Sequence, residues 1–191
     1  MNSGNLVLAT SKSSFISKAI RWFTASRFSH SFVTMPDVLS FPMCIEASEG
    51  GVDYMRFDTE YSGNQDSCYE VWNIKIDQSI KDKAMQSILN DLEIGYGFFE
   101  YPWFMWRKLN SLFGRDIKAQ KNWNKDGMIC SQLCVAYLTA CGLSNIFNKY
   151  GPGSVAPQDL SVIFASHPEL FELVESVRMS SITIPFTITS V

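Results

Sequence analysis

"RFSHSFV", Arg27 to Val33, holds one of only two histidines in a chain of 191 residues. The run alternates with a period of two, which predicts a half-buried strand over "SHSFVTM" with His30 at its mouth. The other histidine, His167, stands before a proline in a polar turn. The surroundings of the first histidine settle what kind of fold could use it.

Upstream, "NLVLAT" (Asn5 to Thr10) reads as a short strand. "SSFISKAIRWFTAS" follows, with Phe15, Ile16, Ala19, Ile20 and Phe23 at helical spacing and Ser13 or Ser14 available as a cap. Downstream, "PMCIEASEGGVDYMRF" reads as strand, Glu-Gly-Gly turn and strand, a hairpin, and "SCYEVWNIKI" as a further strand. The period then changes. In "DQSIKDKAMQSILNDLEIG", Ile80, Ala84, Ile88 and Leu92 fall four apart and Gly95 closes the pattern, which predicts a helix with a glycine stop. "MICSQLCVAYLTACG" is a buried helix closed by Gly142, and "YGPGSVAPQDL" is a loop whose Pro157 and Asp159 open a short helix. The tail "SSITIPFTITSV" alternates at Ile182, Ile184, Phe186 and Ile188, a strand over about residues 180–190 that Pro185 assigns to a sheet edge. No internal repeat is visible. This order predicts an α+β fold, an antiparallel sheet with helices packed on one side, in a single domain spanning residues 1–191.

Composition limits the function classes. Hydrophobic residues make up 46% and charged residues 18%, so there is material for a core and no sign of a disordered chain. The net charge of −3 and the absence of a basic cluster argue against nucleic acid as a partner. The N-terminus lacks the charged and apolar regions of a signal peptide, and no stretch of 18 apolar residues predicts a membrane span. Cytoplasmic synthesis without a signal peptide is the expectation, including as part of a virion or other assembly. Five cysteines are present with no CxxC pair, a pattern that suits reduced thiols better than a disulfide framework or zinc site.

Cys130 stands just inside the start of the "MICSQLCVAYLTACG" helix. Free amides at a helix N-terminus favour a thiolate and offer donors to a developing oxyanion. A cysteine nucleophile needs a base, which His30 can supply, and a third group to orient the imidazole. Glu46, in the otherwise apolar "CIEAS", lies one strand after His30, and neighbouring strands run about 5 Å apart. By period-two counting it shares a face with Cys44 and Ser48, with Ile45 and Ala47 opposite. The bland alternatives are a core cysteine, a structural histidine and a carboxylate paired to a lysine. Cys134 and Cys141, on roughly the same helical face as Cys130, read as core.

These pieces, in this order, resemble the circularly permuted NlpC-type (papain-like) cysteine peptidase and acyltransferase superfamily, in the branch of YiiX-like and lecithin:retinol acyltransferase-like proteins. The resemblance rests on "GNLVLATSKSSFISKAIRWFTASRFSHSFVTM", the "IEASEGGV" hairpin, "EIGYGFFEY", the "MICSQLCVAYLTACG" helix and "APQDL", and it covers residues 4–164. Gly4-Asn5 replaces the Gly-Asp that usually precedes the first strand. The resemblance implies Cys130 as nucleophile, His30 as base and Glu46 as the orienting group. Tyr96 and Tyr101 are candidates to line a cleft or donate to an oxyanion, and Ser29 and Ser131 are candidates for substrate binding. No cofactor and no metal is expected.

The implied activity is a cysteine-dependent hydrolase cleaving an amide bond, first of all in a cell-wall peptide. Two alternatives stand beside it: a non-catalytic module of the same fold in an assembly such as a phage tail or baseplate, and a lipid-directed acyltransferase or esterase. The stretch over about residues 98–127 reads as an aromatic-rich insertion, with Trp103, Trp106 and Phe113 beside Arg107, Lys108 and Arg115. It suits a lid, a membrane-surface contact or a protein contact. The C-terminal strand suits the chain's own sheet or a partner's.

Overall fold

The computed structural model describes residues 2–11, 21, 26–48, 51–61, 67–90, 95–96, 127–150 and 155–178. The expected helix over residues 13–26 lies outside them except for Arg21 and Ser26, and so do the aromatic insertion and the C-terminal strand.

The fold is α+β. Strands β1 (Leu6–Ser11), β2 (His30–Thr34), β3 (Met43–Ser48), β4 (Gly51–Arg56), β5 (Ser67–Ile74) and β8 (Phe171–Val177) form a six-stranded sheet in the order β4-β3-β2-β1-β5-β8. Every neighbouring pair is antiparallel. The two-residue strands β6 (Gly95–Tyr96) and β7 (Gly127–Met128) pair in parallel as a separate small sheet. The helices are α1 (Phe57–Glu60), α2 (Gln78–Leu89), α3 (Cys130–Ala140) and α4 (Pro157–Ser166), with a 3-10 turn at Ser144–Phe147.

The alternation in β1 separates two apolar layers. Leu6 and Leu8 point to one face, where Val33, Ile45, Ala47, Trp72 and Ile74 join Ala84, Met85 and Ile88 of α2, Leu133, Cys134, Tyr137 and Leu138 of α3, and Leu160, Ile163 and Phe164 of α4. Val7 and Ala9 point to the other face with Phe32, Cys44, Met55, Tyr69 and Val71, closed by Phe57 of α1 and by Tyr61. The three longer helices thus pack on one side of the sheet, and a thinner aromatic layer closes the other.

Local chemistry explains several boundaries. Gly142 (φ +82°) ends α3 in a Schellman motif: the Leu143 N–H donates to the Leu138 carbonyl at 3.0 Å and the Gly142 N–H to that of Thr139 at 2.9 Å. Pro157 opens α4, and the Asp159 carboxylate accepts the Ala156 N–H at 2.8 Å. The segment leading into β2 is pinned to α4, because Gln158 Oε1 accepts the Arg27 N–H at 3.1 Å and the Ser26 hydroxyl at 3.3 Å. Arg27 also donates to the buried Glu70 of β5 at 3.0 Å, which takes a second hydrogen bond from the Trp72 indole at 3.2 Å. His30 therefore starts its strand from a fixed point.

Two expectations are corrected. The helix after β5 ends at Leu89 with Asn90 as its cap, and Gly95 lies in β6 instead of closing that helix. Its buried face is Lys81, Ala84, Met85 and Ile88, while Ile80 is 39% exposed. Lys81 enters that face because Asn73 Oδ1 accepts its ammonium at 2.8 Å.

Candidate active site

The site begins in the β2–β3 pair. His30 is the first residue of β2, and the register sets Phe32 opposite Glu46. By the pleat, His30, Phe32 and Glu46 share one face, with Glu46 diagonal to His30. The His30 ring leans over Phe32 at 5.7 Å between centroids, and Phe32 stacks further on Tyr61 and Phe57. Against this floor His30 Nε2 meets Glu46 Oε2 at 2.6 Å. The bond assigns Nε2–H to the carboxylate and leaves Nδ1 for another partner.

That partner is Cys130, the first residue of α3, whose sulfur lies close enough to the His30 ring for the two groups to shift each other's charge. Ile129, at the cap position, has no side-chain acceptor. Gln132 accepts the Ile129 N–H at 3.0 Å, but the cap residue supplies no side-chain acceptor to the amides at the head of α3, so their partial positive charge bears on the sulfur. Cys130 is 4% exposed, while the side chains of His30 and Glu46 are 18% and 17% exposed. The imidazole and carboxylate thus form the solvent side of the group and the sulfur its inner side.

The electrostatics set this cysteine apart. Burial pushes the thiols of Cys44, Cys68, Cys134 and Cys141 up, to about 12 for Cys134 and about 11 for Cys141. Burial acts on Cys130 in the same direction, but the His30 charge and hydrogen bond, with further help from Ser31, outweigh it and hold the thiol below its ordinary range. For His30 burial is the largest influence and favours the neutral ring. The Cys130 sulfur and then Glu46 together outweigh it and raise the imidazole from 6.5 to about 10. Both shifts favour a thiolate–imidazolium pair.

The structure thus brings Cys130, His30 and Glu46 together. The other candidates are placed differently. Ser29 is buried and shares a hydrogen bond with Thr10 at 3.0 Å. Ser131 is fully buried, and its hydroxyl has no partner among the described residues. The Ser131 hydroxyl does not reach solvent. Tyr96 lies in β6, and Tyr101 falls outside the described residues. His167 is remote in role: its Nδ1 pairs with the exposed Glu169 at 3.0 Å.

The sequence reading missed Ser31. The register pairs Ser31 with Leu8, which turns its side chain to the helical face, where its buried hydroxyl has no hydrogen-bond partner among the described residues. Its inward position follows only from the register and leaves no mark in the sequence.

All five cysteines are free and buried. Among the described residues no group of three or more His, Cys, Asp or Glu side chains is arranged to hold a metal ion, and no helix is long and apolar enough to cross a membrane. In comparisons with known proteins, no family model and no curated protein matches the chain.

Proposed function

We propose that the protein is a cysteine-dependent acyl-transfer enzyme of the permuted papain-like type, with Cys130 as nucleophile, His30 as base and acid, and Glu46 as the group that orients the imidazole. The observation that carries this reading is the 2.6 Å bond from His30 Nε2 to Glu46 on an imidazole that also meets Cys130 at the head of a helix. A structural cysteine needs no oriented imidazole, and a structural histidine needs no thiolate.

The chemistry follows from the parts. The Cys130 thiolate attacks the carbonyl carbon of the substrate, and the carbonyl π electrons move to oxygen. Amides at the head of α3 are positioned to stabilise that oxyanion. The His30 imidazolium gives its proton to the departing nitrogen or oxygen, leaving a thioester on Cys130. The now neutral imidazole takes a proton from water, which attacks the thioester and restores the thiolate. Glu46 holds the ring in one tautomer and stabilises its positive form throughout.

An amide is the first substrate class to test, with a cell-wall peptide as the first example. Iodoacetamide at pH 6 should modify Cys130 well before the other four cysteines, as read by peptide mass spectrometry. Incubation with an activated ester should leave a Cys130 thioester in wild type and none in Cys130→Ala. An inert Cys130 in a folded chain would refute the enzyme and leave a binding module in its place. Turnover of acyl lipids but not of peptides would move the substrate to lipid.

A further inference from the structure

We propose that Tyr61 is a specificity-determining residue: its ring floors a subsite beside His30 that takes an aromatic side chain on the amine half of the substrate. The proposal rests on the reading of Cys130 as nucleophile and His30 as proton carrier, and it adds the substrate class on the amine side.

The geometry starts from the strand. His30 and Phe32 stand two apart in β2, so both rings leave the same face of the sheet, with centroids 5.7 Å apart. Tyr61 covers Phe32 at 5.1 Å, tilted by 31°, and stacks on Phe57 at 5.9 Å and 27°. Phe57 in turn meets Tyr69 edge-on at 5.1 Å. The Tyr61 backbone is held as well, since its N–H donates to the Phe57 carbonyl at 3.0 Å. Phe32, Phe57 and Tyr69 are buried, so among the described residues of this layer Tyr61 is the ring that reaches solvent. Two buried rings back it and fix its plane.

The place of this ring decides which part of the substrate it meets. The Cys130 sulfur is the inner side of the site, and His30 with Glu46 is its solvent side. The acyl carbon bonds to the sulfur, whereas the amine nitrogen gains or loses its proton at the imidazole. The amine half of the substrate therefore lies over the solvent side of His30, and the ring next to it on that face is Tyr61. An aromatic side chain there continues the run of rings from His30 through Phe32 and Tyr61, against a surface already ordered by its packing. A methyl group in the same place covers little of the ring. Aminolysis of the acyl-enzyme exposes the difference. The amine lone pair attacks the thioester carbonyl carbon, the C–S bond breaks with its electrons left on Cys130 as thiolate, and the proton lost by nitrogen passes to His30. By microscopic reversibility the same subsite holds the amine that departs in amide cleavage.

The test loads Cys130 of the full chain with the acetyl group of p-nitrophenyl acetate, offers phenylalaninamide or alaninamide, and follows the N-acetyl products by mass spectrometry. The acceptors are amides because the exposed Asp53, opposite Glu46 in the β3–β4 register, would repel a free carboxylate. Failure to form the Cys130 thioester overturns the parent reading and the present one with it. Once the thioester is formed, phenylalaninamide should react about tenfold faster than alaninamide. Equal rates, or no reaction with either amine, overturn the role of Tyr61 while leaving Cys130 as nucleophile. Tyr61→Leu keeps an apolar cover over Phe32 but removes the ring, and should bring the two rates together, whereas Tyr61→Phe should retain the preference. A preference that survives Tyr61→Leu, or is lost in Tyr61→Phe, overturns the proposal. Where Tyr61→Leu does not fold, the wild-type rates and Tyr61→Phe decide.

Discussion

The carboxylate of Glu46 does its work through one atom, the Nε2 of His30 at 2.6 Å. Replacing it with an amide keeps a similar shape but removes the charge that helps hold the imidazolium. Glu46→Gln should therefore lower the His30 pKa and bring the alkaline limb of the rate profile to lower pH, with turnover reduced about 10²- to 10⁴-fold and little change in unfolding midpoint. An unshifted alkaline limb would remove Glu46 from the site. Cys130→Ala should abolish turnover and leave the circular dichroism spectrum and melting temperature near wild type, whereas retained turnover would end the nucleophile assignment. The pH dependence has a definite sign. His30 is raised from 6.5 to about 10, so the stability it contributes is complete below about 6.5 and is lost as pH rises through about 10. Acyl transfer should fade over that alkaline range as the proton donor is lost, while Cys130 alkylation, which needs only the thiolate, should persist. At this scale the sequence was informative about polar residues in unexpected places: a histidine at a strand end and a glutamate in an apolar strand. It was silent on Ser31 because a buried serine and an exposed one look alike until the register is known.

Among the elements, those closed by local turn chemistry were legible. The β3–β4 hairpin, whose described ends pair Ser48 with Gly51, and the Gly142 stop of α3 both have glycine where a positive φ would penalise other residues, at φ +111° for Gly51 and φ +82° for Gly142. Strand β8 was not legible. "FELVESV" buries only Phe171 and owes its extended form to pairing with β5, a contact from a distant part of the chain. The false glycine stop has the same origin: α2 ends at Asn90, before Gly95, and Gly95 is held by β7. Two glycine substitutions separate local strain from packing. Gly142→Ala meets open space and should cost only backbone strain, about 1 kcal/mol in urea unfolding. Gly4→Ala has φ +80° and would place its Cβ 2.5 Å from the Tyr137 hydroxyl and 3.0 Å from Lys81. Tyr137 is fully buried and cannot swing away, so this variant should lose clearly more stability than Gly142→Ala. Equal losses would mean that the junction of β1, α2 and α3 is looser than this packing implies.

For the whole molecule, the proposed base lies in the sheet and the proposed nucleophile in the helical layer, so the site is intact only while the two layers stay docked. Leu133, fully buried on α3 in that interface, should cost about 2–5 kcal/mol on truncation to alanine. Rapid Cys130 alkylation at pH 6 should then disappear at the temperature where the fold melts, and loss of alkylation in a still-folded Leu133→Ala chain would point to local undocking of α3. The two halves also differ in how soon they can exist. His30 and Glu46 are 16 residues apart and meet through one antiparallel pairing of neighbouring strands, whereas Cys130 joins them from far along the chain. A polypeptide still leaving the ribosome can thus carry its base and carboxylate while its cysteine is an ordinary, protonated thiol. On the proposed reading, chemical competence arrives only with the docking of α3, so an incomplete chain cannot be acylated at this site.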